Sequence, residues 1–304
     1  MKSLINKIIA IAILIGASSI CGYSQIRDIR HNLSRFDAIE ASDGFEVSIK
    51  KSDSHSIRMS VDDAIESYVE CYVKSGVLHI GLDKKKVPKD VKKLYKGKNS
   101  DGPRLEATVS MPVLKSLTLN DDSEFVSSGN QSGDIFTLVM NGSSKAKGLS
   151  VVSRTVNVTV GKNAVLSDAS VTAEGDLTVT TDGKAEVSIK CAAENLTLSL
   201  AGNSVSSIEG KIEKDITVSA AGSAKLGLSG KAEALSVTGK STSAAVDASE
   251  LKVPGCVITV TGTSVILPAS DSLELDLGKG AEVTYAGDPV VKLVKIQNAT
   301  VLRK

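Results

Sequence analysis

The sequence predicts an all-β fold, a single-stranded parallel β-helix of about 20 residues per coil with a β-rich cap on its N-terminal side. Seven-residue segments repeat as LTVTTDG at 177–183, LTLSLAG at 196–202, ITVSAAG at 216–222 and CVITVTG at 256–262. Related copies begin at Phe136, Val156, Leu235 and Leu273, and successive copies from Val156 start 21, 19, 20, 19, 21 and 17 residues apart. A period near 20 that persists over most of a chain is typical of a solenoid.

The residue pattern within each copy of the repeat predicts short strands. Apolar residues alternate with Thr and Ser for about five positions, which is the pattern of a strand with one buried and one solvated face. A second alternating stretch follows after a Gly or a small polar residue, for example over 205–208 and 224–228. A strand, a crossover helix and a returning strand would need about 30 residues or more, so each repeat holds two or three strands and their turns. The spaced Leu and Asn pattern of leucine-rich repeats is missing.

An antiparallel sandwich is the main alternative fold, because it also has a strand about every 8 to 12 residues. The glycine signal, however, recurs once per repeat, as expected of equivalent strands stacked in parallel and in register. Glycines are then predicted at turns where φ is positive or where backbones crowd. These glycines are Gly142, Gly161, Gly183, Gly202, Gly222 and Gly262.

The first 24 residues are predicted to be a signal peptide. Lys2 and Lys7 precede an unbroken apolar run over 8–15, which is shorter than the roughly 20 residues of a membrane span. Cleavage after Ser24 would export the chain to the periplasm, the outer membrane surface or the medium. A lipid anchor on Cys21 is the alternative, which Ile20 directly before that cysteine disfavours.

Residues 25–304 are predicted to form one continuous domain. Residues 25–112 lack the repeat and form an N-terminal β-rich cap region, 113–290 hold the β-helix repeats, and 291–304 form a C-terminal cap strand. Within the cap region, strands are predicted over 45–49, 56–61 and 77–82, with a short helix within 62–73. Covers are expected because an open coil leaves bare strand edges at its ends.

Composition restricts the function. With 36 Lys plus Arg against 35 Asp plus Glu, the chain has no overall charge that would favour nucleic acid, and no later segment has the length of a transmembrane span. The aromatic content of 3% offers few platforms for sugar rings. Cys71, Cys191 and Cys256 form no CxxC pair and are predicted to be buried apolar side chains, so neither a metal nor another cofactor is indicated.

A basic segment is the first candidate binding site. Val87, Val91 and Leu94 have helical spacing among its lysines, but Pro88 and Gly97 interrupt it, and a solvated loop is the expected form. The patch could hold anionic glycans, lipid headgroups or nucleic acid through phosphate contacts, although no nucleic-acid recognition motif accompanies it. Its lysines are Lys84, Lys85, Lys86, Lys89, Lys92, Lys93, Lys96 and Lys98.

Asp121, Asp122 and Glu124 form the best acidic cluster. Acid catalysis on a glycosidic bond needs two carboxyl groups about 5 to 9.5 Å apart, one of them with a raised pKa. The corresponding turns of the next coils offer Asn141 and Gly161, and the next acid is Asp182, so no acidic stripe is expected. We therefore predict no catalytic residues, and a solvated turn is the simpler interpretation of the cluster.

Several stretches carry a family resemblance: Phe36-Asp37-Ala38-Ile39 followed by Gly44-Phe45, GVLHI at 76–80, MPVL at 111–114 and GAEVTYAGDP at 280–289. In this order they resemble the head GIN domain family of autotransporter adhesins, over roughly residues 35 to 304. The resemblance implies a secreted or envelope-located β-helical protein, common in Bacteroides-type bacteria, without an established catalytic activity. It carries over no functional residues.

The predicted function is that of a non-catalytic secreted or cell-envelope solenoid. A long Ser/Thr-rich lateral surface would bind a glycan, another protein or an envelope component, since contacts accumulate along extended repeat surfaces. Two alternatives stay open: a β-helical polysaccharide lyase or hydrolase, and a purely structural envelope protein.

Overall fold

A computed structural model describes residues 26–96, 102–126, 130–241 and 243–304. They form a nearly all-β parallel solenoid of about nine turns with a spacing of ~20 residues, which confirms the predicted fold class. The predicted signal peptide over 1–24, the alternative anchor at Cys21 and Lys98 of the basic segment lie outside the described residues.

The N-terminal region contains seven strands and two short helices. In chain order they are β1 (Ile26–Asn32), β2 (Ala38–Ala41), β3 (Glu46–Lys51), β4 (Ser56–Asp62), α1 (Asp63–Glu66), β5 (Val69–Lys74), β6 (Val77–Leu82), α2 (Lys89–Leu94) and β7 (Leu105–Met111). The strands predicted over 45–49, 56–61 and 77–82 correspond to β3, β4 and β6, and α1 is the short helix predicted within 62–73.

The repeats supply the other twenty strands. The first ten are β8 (Ser116–Leu119), β9 (Glu124–Val126), β10 (Asn130–Met140), β11 (Lys145–Lys147), β12 (Ser150–Val160), β13 (Val165–Ala173), β14 (Asp176–Thr181), β15 (Glu186–Ala193), β16 (Asn195–Leu200) and β17 (Val205–Ile212). The last ten are β18 (Asp215–Ala220), β19 (Lys225–Lys231), β20 (Ala234–Lys240), β21 (Ala245–Lys252), β22 (Gly255–Thr261), β23 (Ser264–Ala269), β24 (Ser272–Leu277), β25 (Glu282–Ala286), β26 (Val290–Ile296) and β27 (Thr300–Arg303).

Three faces of stacked parallel strands run along the solenoid. The first face contains β6, β2, β8, the second halves of β10 and β12, and the even-numbered strands from β14 to β26. The second face contains β7, β3, β9, β11 and the odd-numbered strands from β13 to β27. A shorter third face joins the first halves of β10 and β12 to the second halves of β13, β15, β17, β19 and β21.

Aliphatic side chains of equivalent strands stack in straight rows inside the solenoid. One such row on the first face contains Leu177, Leu196, Ile216, Leu235, Cys256 and Leu273. Each of these residues is at most 2% exposed. Burial of an aliphatic side chain contributes about 1.5–3 kcal/mol, so each coil adds its own share of stability to a continuous core.

The N-terminal strands do not stack in chain order. Strand β2 pairs in parallel with both β6 and β8, and β3 pairs in parallel with both β7 and β9. Outside them, β4 runs antiparallel to β7 and to β1, while β5 runs antiparallel to β6. These antiparallel strands cover the parallel edges of β6 and β7, which would otherwise be open to another chain.

The turn between the first and second faces explains most of the repeated glycines. Five of the predicted ones, Gly142, Gly183, Gly202, Gly222 and Gly262, have positive φ. The prediction is wrong for Gly161, because the left-handed residue of that turn is Lys162, with φ 59°. A Cβ atom at Gly161 would meet its nearest neighbour at 3.8 Å, so this position also lacks the backbone crowding found at Gly142, Gly183, Gly202 and Gly222.

The predicted burial of the cysteines is confirmed at two of the three positions. Cys191 and Cys256 are buried, Cys71 is half-buried, and all three are free thiols. Burial raises the pKa of the Cys71 thiol to about 11 and that of the Cys191 thiol to about 12. These thiols therefore stay protonated near neutral pH, which disfavours a nucleophilic role.

Candidate functional site

Two columns of uncharged side chains run along the first face in the middle of the solenoid, and we call them the hydroxyl face. Two outward side chains from each of β12, β14, β16, β18 and β20 form the columns, and the exposed Asp176 and Asp215 lie beside them at the starts of β14 and β18. Neighbouring strands lie about 4.7–4.9 Å apart, and the two columns lie about 6.6 Å apart along each strand. Its residues are Asn157, Thr159, Thr178, Thr180, Thr197, Ser199, Thr217, Ser219, Ser236 and Thr238.

Most hydroxyl groups of this face are available to an external partner. The Thr238 hydroxyl donates a hydrogen bond to the carbonyl of Val218 over 3.1 Å. The other side chains of the hydroxyl face make no hydrogen bond to the described part of the protein. Since each hydroxyl is both a donor and an acceptor, the face offers regularly spaced hydrogen-bonding groups without charge.

The same alternation that builds the core creates the hydroxyl face. In β16 and β18, every second residue is buried and the residues between them are exposed Thr or Ser. The parallel register then places equivalent hydroxyls beside one another. The hydroxyl face is thus a Ser/Thr-rich lateral surface of the kind that the alternation predicts.

The structure places the basic segment beside the N-terminal strands, with part of it in helix α2. Lys84 forms an ion pair with Asp43 at 2.6 Å, Lys86 forms one with Asp83 at 2.8 Å, and the Lys92 ammonium donates to the carbonyl of Lys84 at 2.6 Å. Val91 is half-buried, whereas Leu94 is 66% exposed. A helix of six residues thus interrupts the expected loop.

Several lysines of the segment remain exposed. In the described ranges, the side chains of Lys85, Lys89, Lys93 and Lys96 form no ion pair. These four lysines remain a candidate binding surface for anions, but their arrangement does not favour a particular anion.

The acidic cluster lies in the turn between β8 and β9, and the structure adds Asp43 to it. Asp43 precedes β3 at the equivalent turn of the neighbouring coil, and both Asp43 and Asp121 have positive φ, 66° and 55°. Asp43 was missed because its region was read as lacking the repeat. The signal was present, since Asp43 precedes Glu46 by the same three positions by which Asp121 precedes Glu124, and Glu46 pairs with Glu124.

Electrostatics disfavours an acid catalyst at this turn. Burial would raise the pKa of the Asp43 carboxyl, but the Leu82 N–H at 2.9 Å and the Lys84 ammonium outweigh it and hold the pKa below its ordinary value. Glu124 is tied to Lys145 at 2.7 Å. A general acid at neutral pH needs a raised pKa, and the resolved shift at this turn has the opposite sign.

Substitution of Lys84 tests the ion pair that joins the basic segment to Asp43 of the acidic cluster. We expect Lys84→Gln to lower the free energy of unfolding by up to about 1 kcal/mol, because the ion pair with Asp43 is partly exposed. Lys85→Gln is the control, since Lys85 lies beside it without an ion pair to the described residues. Urea denaturation of both variants measures the difference; equal midpoints would contradict a stabilising ion pair.

The pH dependence of this effect has a definite sign. The folded-state pKa of Asp43 is lowered. The stability that its ion pair with Lys84 provides is therefore present above the unfolded-state pKa and is lost as pH falls through the folded-state pKa. The difference between Lys84→Gln and the original chain should therefore disappear in acid.

Two of the three histidines, His55 and His79, make structural contacts. Nδ1 of His79 lies 3.2 Å from Oε2 of Glu40, and its ring stacks on Tyr72 with a centroid distance of 4.9 Å. Nε2 of His55 lies 2.9 Å from the carbonyl oxygen of Phe36. No group of three or more His, Cys, Asp or Glu side chains that could hold a metal occurs within residues 26–96, 102–126, 130–241 and 243–304.

Across the same described ranges, none of the helices has both the length and the apolar character that crossing a bilayer requires.

The chain matches the family model described as "putative auto-transporter adhesin, head GIN domain" over residues 35–213 and 177–289. No curated protein matches the chain.

Two proteins from Parabacteroides have solved structures that match this chain. A putative adhesin from Parabacteroides distasonis is 16% identical with a TM-score of 0.54, and the match covers 93% of this chain and 98% of that one. A putative adhesin from Parabacteroides merdae is 18% identical with a TM-score of 0.41, over 93% and 98% of the two chains. At these identities the first match supports the fold alone. The family match spans most of the sequence, and the chain therefore belongs to the head GIN domain family of putative auto-transporter adhesins.

Proposed function

We propose that the chain is a non-catalytic binding protein of the cell envelope or the extracellular space, and that its hydroxyl face holds an extended, uncharged glycan. Membership of an adhesin family implies an extracellular or envelope location and some binding partner. The observation that carries the proposal is the array of free hydroxyls in two straight columns. A linear glycan lying along the solenoid could contact each strand in turn, with sugar units repeating at about the strand spacing of 4.7–4.9 Å.

Charge supports an uncharged ligand over an ionic one. The ten residues of the hydroxyl face are Thr, Ser and Asn. Charged residues lie beside it, with Asp176 and Asp215 at the starts of β14 and β18, Glu40 near one end of the first face, and Glu274, Asp276 and Lys292 near the other end. An anionic or cationic polymer would gain little from the uncharged centre.

Removal of two neighbouring hydroxyls tests this function. Ser199 and Ser219 are adjacent in one column, so the double variant Ser199→Ala, Ser219→Ala removes two hydroxyls from neighbouring strands. Each lost hydrogen bond costs about 0.5–1.5 kcal/mol, so we expect affinity for a bound glycan to fall roughly fivefold to a hundredfold. The measurement is a glycan-array screen followed by titration with the best ligand.

A matched control comes from the second face. Ser188 and Ser207 are also adjacent and exposed, so Ser188→Ala, Ser207→Ala should leave affinity unchanged. Equal losses in both double variants would contradict the assignment to the hydroxyl face. Reducing ends or unsaturated sugars released by the purified chain would contradict the non-catalytic role.

A further inference from the structure

The C-terminal end of the solenoid carries a large apolar surface, which we call the terminal patch. All seven residues of β26 are exposed, whereas β24 beneath it alternates between buried and accessible positions. Val290, Leu293 and Val294 are 78%, 60% and 54% exposed. The full patch comprises Val290, Val291, Leu293, Val294, Ile296 and Leu302.

Part of the terminal patch is the next layer of the core. Val291, Leu293 and Ile296 stack on Leu273, Leu275 and Leu277 in the parallel register of β26 on β24. The three residues underneath are at most 1% exposed. In the described residues no further coil lies above, so the rows of core side chains end in contact with water.

Two strand edges are open at the same end. Among the described strands, β26 pairs only with β24, and β27 pairs only with β25. Their outer edges therefore present unpaired backbone N–H and carbonyl groups, a template for another strand. The opposite end differs, because the antiparallel strands β1, β4 and β5 cover it.

We propose that the terminal patch is the interface of a symmetric dimer, in which the C-terminal ends of two copies meet across a twofold axis. A twofold interface uses the same surface on both copies, so each apolar layer covers the other and each open edge faces another open edge. Since each copy has one such end and the twofold contact occupies it on both copies, the assembly closes at two copies.

The size of the patch is compatible with such an interface. Its six residues expose roughly 500 Å² in one copy, at the upper end of what monomeric proteins show. Two copies would bury about 1,000 Å², close to the lower bound for a specific interface, before the backbone edges are counted. We therefore expect a dissociation constant in the micromolar range.

Charge around the patch modulates the association. Lys292 pairs with Glu274 at 3.0 Å and Arg303 pairs with Asp288 at 3.1 Å, so these cations are neutralised within each copy. In the described residues Lys295 and Lys304 form no ion pair, and they would repel their equivalents across the axis. Salt screens this repulsion, so added salt should strengthen the dimer.

A lipid membrane is a less favourable partner for the terminal patch than a second copy of the chain. Hydrocarbon covers apolar side chains but offers no partner to backbone amides and carbonyls, and unpaired groups cost several kcal/mol there. A second copy supplies both apolar side chains and a strand edge. Binding to anionic lipid would also weaken with salt, which is the opposite trend.

Sedimentation velocity from about 1 to 100 µM tests the proposal, because this range spans the affinity expected for an interface of this size. We expect a concentration-dependent dimer for the original chain and a monomer for Leu293→Asp, with at least tenfold weaker association. Val257→Asp is the matched control, since Val257 is an exposed valine, 45% accessible, that points outward from β22, two strands away from β26, and this variant should still dimerise.

Further measurements make the outcome decisive. Circular dichroism at the lowest concentration should be the same for all three chains, and amide exchange in β26 should slow as concentration rises. If Leu293→Asp fails to fold, Val294→Lys replaces it. A monomer across the whole range, or equal loss in Val257→Asp, would overturn the proposal. So would salt-weakened binding to phosphatidylglycerol vesicles that Leu293→Asp abolishes, which would assign this end to lipid.

Discussion

Leu198→Ala is expected to lower the free energy of unfolding by about 2–5 kcal/mol, a large fraction of the total stability of a typical domain. Leu198 is fully buried and stacks between Val179 and Val218 in the parallel register. Truncation therefore opens a cavity in the middle of a row, where the coils on either side prevent collapse.

The neighbouring Ser199→Ala is the control for this substitution. Ser199 is exposed on the same strand, so its change should stay within about 0.5 kcal/mol. Urea denaturation followed by circular dichroism measures both variants. Similar midpoints for Leu198→Ala and Ser199→Ala would contradict the assignment of inward and outward positions in β16, and with it the register of the solenoid.

Gly230→Ala is the second change with a large expected effect. Gly230 has φ 109°, and a Cβ atom there would lie 1.9 Å from the carbonyl oxygen of Gly210 in the adjacent coil. A left-handed conformation costs an ordinary residue about 1–3 kcal/mol, and the backbone clash adds to this. We expect a loss of about 3 kcal/mol or more in unfolding free energy.

The same strand contains the control, Gly227. A Cβ atom at Gly227 would have no neighbour within 4 Å, and its φ is ordinary. Gly227→Ala should therefore be neutral or should stabilise the strand by about 0.5–1 kcal/mol. Thermal unfolding of the two variants distinguishes them, and a Gly230→Ala protein as stable as Gly227→Ala would show that the third face lacks the close approach between coils.

The repeats were predictable because the signal lies in local patterns. Alternation over 196–200 defines the two sides of β16, and the spacing of about 20 residues between copies defines which strands stack. The position of Cys256 in a core row followed from the same alignment, although its residue type differs from its neighbours. Periodicity thus specifies both the buried rows and the hydroxyl face.

Other features depend on contacts between distant segments, which no local pattern encodes. The pairing of β2 with β8 joins residues about 78 positions apart, and it brings Asp43 near Asp121 and Lys84. Lys162 in a left-handed turn was also unexpected, because the glycine beside it suggested that Gly161 has that role. The terminal patch was not predictable, because the sequence of β26 does not show whether another element covers its apolar side chains.

The placement of β2 and β3 between later strands constrains how the protein can be made. A ribosome releases these two strands before either of their neighbours exists, so both their edges are unpaired when they emerge. The first coil is complete only after β8 and β9 have been synthesised. Assembly therefore cannot proceed strictly from the amino terminus, and the earliest segment of the chain must be kept from aggregating until the ninth strand arrives.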